Sequence, residues 1–295
     1  MNIYILTEGN LTENMNGLLN TGHTIIIGKP LTYDPDGLYI EKNYYRHQDN
    51  YLKFKNNYIN QCDRTDEEMI SLLEKYDIPF PKTIFQDKIT TLLTCMEPNK
   101  EYAVKSYGAA RSIGKYKTDR TLFLDMLNRI SIGEFKSKEE FNTYYGINGG
   151  IYRNDDDKYR LYDSLCKDNV YLQEYIDIKK EYRLFIYFDH EPNVSCLLRK
   201  GYSLNPKASD MDEDYVEYNT ILKEHKQIDT IVKRFIDMMK QEKNLTLSID
   251  IAIDQNNDAY VIEFSREYSI DNKDIFNLHQ DKIKKAINEY IEYIK

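Results

Sequence analysis

The residues of this chain whose types and spacing most directly imply chemistry are two carboxylates, Asp250 and Glu263. Asp250 lies in a stretch where Ile249, Ile251 and Ile253 alternate with Ser248, Asp250, Ala252 and Asp254, the period of two of a strand with one buried face. Ala259 to Phe264 reads as a second strand. Asp254-Gln-Asn-Asn-Asp258 between them is dense in turn-forming residues, so a hairpin is predicted that carries the two carboxylates towards one end of a ribbon. Like charges at close range repel, and each resists desolvation. A magnesium ion carrying nucleotide phosphates resolves both problems, because Mg2+ takes one or two carboxylates with phosphate oxygens and keeps part of its water. Strand carboxylates taken alone are more often solvated outer-face groups, so the reading needs partners elsewhere in the chain.

One partner is the run from Glu101 to Tyr116. A strand presents Lys105 and enters a loop of small residues, Gly108, Ala109, Ala110, Ser112 and Gly114. Small residues let backbone N–H groups approach an anion, and a lysine at the strand end supplies a point charge for phosphate. The order is neither GxxxxGK[ST] nor GxGxxG, and by itself the run is more often an ordinary hairpin turn. A second partner is Val170 to Tyr187, predicted as two strands around a charged turn at Asp177–Lys180. It is followed by a strand from Asn193 to Lys200 that carries Arg199. Glu181 and Arg183 fall on one face of their strand, where a simple surface ion pair between them is the ordinary reading.

The elements that must position these groups are legible in outline. Asn2–Leu6, His23–Ile27 and Gly37–Ile40 read as short strands, with Pro30, Pro35 and Asp36-Gly37 as turns. Thr65 to Tyr76 reads as a helix stopped by Ile78-Pro79-Phe80-Pro81, with a strand at Lys82–Phe85. Residues 119–145 are predicted mainly helical, with Leu122, Leu124, Met126 and Leu127 buried and Gly133 as a break. Glu224–Glu242 is predicted as one amphipathic helix, and Asp281–Lys295 as a last one.

Composition bounds the function. The 295 residues suffice for several lobes, and 30% charged with 41% hydrophobic residues is the range of a soluble globular protein. A net charge of −9 argues against a protein built to grip nucleic acid. The sequence has no run apolar enough to span a bilayer, and its opening residues lack signal-peptide character, so a cytoplasmic protein is expected. Four scattered cysteines, Cys62, Cys95, Cys166 and Cys196, form no CxxC pair, which argues against a zinc or disulfide framework.

Taken in this order, the stretches resemble the ATP-grasp superfamily over roughly residues 65–267. Tyr102 to Tyr116 is similar to the family's lysine strand and phosphate-covering loop, with Lys105, Ser112 and Gly114 on the recurrent positions. Gln173-Glu174-Tyr175-Ile176 resembles the adenine hinge, Glu181 and Arg183 the charged pair that follows it, and Asp250 with Glu263 the metal-binding strands. The Ile78–Pro81 element sits where the family commonly has IPxP. Two departures mark a divergent branch of phage or bacterial type. Ser265 stands where the family usually has an Asn two residues after the metal glutamate, and an upstream Asp-Lys is absent near Asp63-Arg64.

The resemblance implies an α/β (α+β) ATP-grasp fold of three lobes, at residues 1–85, 86–172 and 173–295, with ATP and Mg2+ between the second and third. It implies Gln173, Glu174, Tyr175 and Ile176 around adenine, with the Glu174 carboxylate accepting from the amino group. Glu181 is then expected on the ribose, Lys105, Ser112 and Gly114 on the phosphates, and Asp250, Glu263 and Ser265 on the metal. Arg183 and Arg199 become the catalytic arginines, whose planar forks suit a transferring phosphoryl group or an acyl phosphate. The implied reaction is ATP-dependent joining of a carboxylate, small or on a peptide or protein, to an amine. The alternative is a nucleotide-dependent binding or assembly factor with little turnover. Replacing either metal carboxylate by its amide is expected to cost turnover with only modest loss of stability.

Overall fold

A computed structural model describes residues 2–6, 24–27, 34, 36–41, 58–60, 66–107, 115–147, 158–187, 193–200, 212–242 and 248–265; for some strand residues, Arg199, Ser248 and Ser265 among them, the description is of the backbone alone. Three sheets account for the strands of these residues. The first is parallel, in the order β2-β1-β3-β4, from β1 (Asn2–Leu6), β2 (Thr24–Ile27), β3 (Leu38–Glu41) and β4 (Tyr58–Asn60). The first three agree with the sequence reading to within a residue, and β4 was not anticipated.

Helix α1 (Asp66–Lys75) ends where Asp77 takes a positive φ of 53° ahead of the proline-rich element. The second sheet is antiparallel in the order β5-β8-β6-β7, built from β5 (Thr83–Ile84), β6 (Glu101–Ser106), β7 (Lys115–Asp119) and β8 (Val170–Glu174). Tyr102, Val104, Val170 and Leu172 on one of its faces join Leu92, Phe123, Met126, Phe141 and Leu165 in a core. These last come from helices α2 (Ile89–Cys95), α3 (Arg120–Ser131), α4 (Lys138–Tyr144) and α5 (Arg160–Cys166). Asp119 and Ser137 cap α3 and α4 by accepting from the amides of Leu122 and Glu140. The buried face of α3 is Phe123 and Met126; Leu124, expected inside, is 42% exposed. Phe123 and Met126 are three residues apart, and 3.6 residues per turn carries Leu124 a further 100° round the helix.

The third sheet is antiparallel, in the order β11-β10-β9-β12-β13. Its strands are β9 (Ile178–Tyr187), β10 (Asn193–Lys200), β11 (Asp212–Val216), β12 (Ser248–Asp254) and β13 (Ala259–Ser265). Ile228, Ile231, Val232, Phe235, Ile236 and Met239 of α7 (Gln227–Gln241) pack with Leu184, Ile249, Ile251, Ile253 and Val261. The helix expected at Glu224–Glu242 is α7 and begins three residues later; α6 (Tyr218–Glu224), which was not anticipated, precedes it and stops at His225, whose ψ of 76° is not helical. The charged turn expected at Asp177–Lys180 is mostly strand; the connection between β8 and β9 is Tyr175–Asp177.

Helix α1 and the segment after it are built into the third sheet's core, the helix through Leu72 and Leu73 and the segment through Ile78. Lys75 and Tyr76 bind Glu242 at 2.6 and 2.8 Å, and the Val261 amide donates to Pro79 O at 2.8 Å. The boundary expected after residue 85 thus follows a helix that packs with the third sheet and a strand, β5, that pairs in the second. The helix expected at 281–295 lies outside the described residues.

Candidate active site

One irregularity in β13 decides which side chains share a face. Ile251, paired with Val261, and Ile249, paired with Phe264, all point into the core, so β13 carries one more residue than β12 between these two pairs. The register shift lies between Asp250 and Ile251 and leaves Ile262 as the bulged residue. Without it, Glu263 would share the parity of Val261 and enter the core. With it, Glu263 stands opposite Asp250 on the sheet's other face, away from α7.

Asp250 is also the register partner of Arg183 on β9, so Arg183, Asp250 and Glu263 form one row across three strands. Arg183 Nε donates to Asp250 Oδ1 at 2.7 Å and its Nη2 to Oδ2 at 2.8 Å. The two side chains are 11% and 4% exposed, whereas Glu263 is exposed. Arg183 therefore takes Asp250 as a carboxylate partner across the strands, in place of the ordinary reading of a surface pair with Glu181. The expectation of modest stability loss on changing Asp250 is corrected with it, since removing one member leaves the other buried and charged.

The next row sets Glu181 against Ala252 on β12 and Arg199 on β10, and Arg199 in turn opposite Glu213 on β11. Glu181 is 2% exposed. Tyr260, paired with Ala252, continues the row; burial, with Asp254, Asp258 and Glu174 nearby, raises its phenol above the ordinary range and keeps it a neutral hydroxyl. In the row on the other side, Ser265 pairs with Ser248, two residues beyond Glu263.

The second sheet presents a complementary set on the face away from its helices. Lys105 pairs with Tyr171, and Ala103 with Gln173, which places all four on that face. Lys105 Nζ donates to Gln173 Oε1 and lies 6.0 Å from the centre of the Tyr171 ring. Gln173 Nε2 donates to Thr83 Oγ1 at 3.0 Å. Glu174 is the register partner of Tyr102, whose ring is in the core, and its carboxylate lies 3.6 Å from Lys100. The hinge side chain on the lysine's face is thus that of Gln173, and Glu174 stands on the opposite face of the strand.

At the hinge, the amides of Glu174 and Tyr175 donate to Lys82 O and Glu101 O, at 2.8 and 3.0 Å. Among the described residues the Ile176 amide makes no backbone hydrogen bond. Lys117 adds a cation that the sequence reading missed. It stands opposite Ala103, 2.9 Å from Glu101 and 4.1 Å from the centre of the Tyr175 ring. Thr83 was missed as well. The strand parity shared by Lys117, Ala103 and Lys105 was the available signal for the first; for Thr83, paired with Gln173 from a two-residue strand, there was none. Ser112 and Gly114 lie outside the described residues.

This arrangement of sheets has counterparts among known proteins. Residues 137–282, about half of the chain, match a family model for the ATP-grasp domain, family 2 of its clade. The chain belongs to the ATP-grasp superfamily. Solved structures with the ATP-grasp fold align over almost its whole length. D-alanyl-alanine synthetase A from Vibrio cholerae O1 biovar eltor is 13% identical with a TM-score of 0.57, over 99% of this chain and 97% of that one. D-cycloserine synthetase DcsG gives 13% and 0.56 over 100% and 99%. The ATP-grasp ligase PsnB, complexed with its minimal precursor, gives 11% and 0.55 over 98% of each chain. The enzyme class expected from the sequence, an ATP-grasp ligase, is that of PsnB by name. No curated protein matches the chain in sequence. Among the described residues of this ATP-grasp chain, no helix is long and apolar enough to cross a membrane.

Proposed function

We propose that this ATP-grasp protein is an ATP-dependent carboxylate–amine ligase that forms an amide through an acyl phosphate. The observation that carries the reading is the row Arg183–Asp250–Glu263 on the outer face of the third sheet, joined by the Tyr175–Asp177 hinge to a sheet that presents Lys105. In this reading the chain divides into lobes at 1–85, 86–172 and 173–295, and ATP lies between the second and third. The Ile176 amide pairs with the adenine edge, Gln173 and Tyr175 line it, and buried Glu181 accepts from the ribose hydroxyls. Lys105, with Ser112 and Gly114 from the run that follows it in sequence, binds phosphate oxygens.

Asp250, Glu263 and Ser265 would hold Mg2+. Two carboxylates on adjacent strands fit an ion that completes its shell with phosphate oxygens and water, and no cluster of three or more acidic, His or Cys ligands occurs among the described residues. When bound, the ion supplies charge neutralisation to the transferring phosphoryl group. Arg183 is held by Asp250 with its fork preoriented beside that position, and Arg199 stands two residues along the neighbouring strand's register. In the first step the substrate carboxylate oxygen attacks the γ-phosphorus and ADP leaves. In the second an amine attacks the acyl carbon, gives up a proton, and inorganic phosphate leaves. The arginines stabilise charge that develops on the oxygens in both steps.

The activated substrate is a small carboxylate or a carboxylate on a peptide or protein. Support for the peptide side comes from PsnB, which is complexed with precursor peptide PsnA2 and AMPPNP in one of its structures. Ser265 in place of the usual Asn favours a second reading, a nucleotide-dependent assembly factor with little turnover. Incubation with ATP, Mg2+ and an amino-acid and peptide library, read by ADP release and mass gain, separates the two. The ligase reading expects ADP release coupled to a defined mass gain. ATP-induced stabilisation without turnover across the library would leave the second reading standing, and a melting curve indifferent to ATP would remove both.

A further inference from the structure

Lys105 is held by a chain of hydrogen bonds whose polarity has only one solution. Thr83 Oγ1 donates to the carbonyl of Pro81 at 2.8 Å, and a carbonyl can only accept. The hydroxyl proton is therefore committed, and towards Gln173 the Thr83 oxygen can only accept. Gln173 Nε2 must then face Thr83, as it does at 3.0 Å, which turns Oε1 to the ammonium of Lys105. The amide is 5% exposed, so water does not compete for either end. Were it to rotate by half a turn, an NH2 group would face an NH3+ group. The Thr83 hydroxyl thus selects the one amide orientation that attracts the lysine.

The chain is rooted in a place that matters. Pro81 belongs to the segment whose Pro79 carbonyl accepts from the Val261 amide at 2.8 Å, and Val261 lies two residues before Glu263 on β13. A continuous path therefore runs from the carboxylate strand of one sheet, through Pro79–Pro81, to the lysine of the other.

Resting on the reading of Lys105 as a phosphate ligand, we propose that Thr83 and Gln173 are positioning residues that set the Lys105 ammonium in register with the carboxylate strand. Neither side chain need touch the phosphates. Thr83 contributes only the orientation of Gln173, and Gln173 contributes an acceptor that draws Lys105 along the sheet to a fixed point.

The test compares Thr83→Val, Thr83→Ser and Lys105→Ala for binding of ATP and of adenosine, which has no phosphates. Thr83→Val keeps the shape and removes the acceptor. It is expected to melt somewhat below wild type without ligand, because the buried Gln173 amide loses its acceptor, and to bind ATP about tenfold more weakly, the effect of one charge-assisted contact. Adenosine binding should be unchanged, and Thr83→Ser should restore ATP binding. If Thr83→Val does not fold, Thr83→Ala, which also removes the acceptor, carries the same expectations. Weakening of ATP and adenosine by the same factor, or no rescue by serine, overturns the proposal in favour of a general packing role. Loss of ATP binding in Lys105→Ala with none in Thr83→Val sinks the positioning role alone. Undiminished ATP binding in Lys105→Ala removes the phosphate reading and the positioning role with it.

Discussion

Arg183 and Asp250 meet across β9 and β12 through two parallel N–H···O bonds of 2.7 and 2.8 Å, with both side chains almost fully buried. Removing either residue takes from the other a buried partner of opposite charge. Asp250→Asn or Arg183→Met should cost about 3–5 kcal/mol of stability, and the double replacement Arg183→Met with Asp250→Leu much less than the sum. Urea unfolding of the three variants measures this. Additive losses would mean that the two groups do not depend on each other.

Glu263 shares that row but is exposed, so its replacement separates chemistry from stability. Glu263→Gln should unfold within about 0.5 kcal/mol of wild type. In the same variant the dependence of ATP-induced stabilisation on Mg2+ concentration should move upward. An unchanged Mg2+ titration would remove Glu263 from the metal site.

Arg199 and Lys105 lie in different sheets and should fail differently. Arg199→Ala is expected to retain the ATP-induced rise in Tm and to raise KM for the carboxylate or lower kcat. Lys105→Ala is expected to abolish the rise. Equal loss of ATP binding in both would undo the assignment of Arg199 to the substrate side.

His225 gives a pH signature unrelated to turnover. Its ring is 5% exposed, and among the described residues neither nitrogen makes a hydrogen bond. Burial, then the nearby Lys180 and, more weakly, Lys179, lower its pKa, against a pull from Glu224 3.6 Å away; Tyr182 packs its ring alongside. The unfolded chain then binds a proton that the folded chain refuses. Stability is full above the unfolded value near 6.5 and falls as pH drops through it, by up to about 1.4 kcal/mol per pH unit. His225→Leu should flatten the profile between pH 7 and 5 and cost little at pH 7, because no hydrogen bond is lost. A wild-type slope in the variant would place the titration elsewhere.

The carboxylate hairpin was legible because Ile249, Ile251 and Ile253 alternate over a full strand, and β12 and β13 match the reading nearly residue for residue. The bulge left a trace too: Val261-Ile262 puts two apolar residues side by side, the mark of a change of parity, though only the register shows which one is extra. The Arg183–Asp250 pair was hidden because 67 residues separate its members, and alternation within β9 pointed to the nearer Glu181. Thr83 was hidden for a related reason. A two-residue strand has no period to read, and its meaning comes entirely from β8.

Helix α1 shows what such separation means while the chain is being made. Leu72, Leu73 and Ile78 leave the ribosome well before the strands that cover them, the last of which ends at Ser265. At ~5–20 residues per second that is a delay on the order of ten seconds or more. During it an amphipathic segment waits with its apolar face uncovered, past the time in which small domains complete their folding. The third sheet can close only after nearly all of the described chain exists, so a ribosome stalled before β12 would hold a lysine sheet able to pack its own core beside a helix with nothing to dock on.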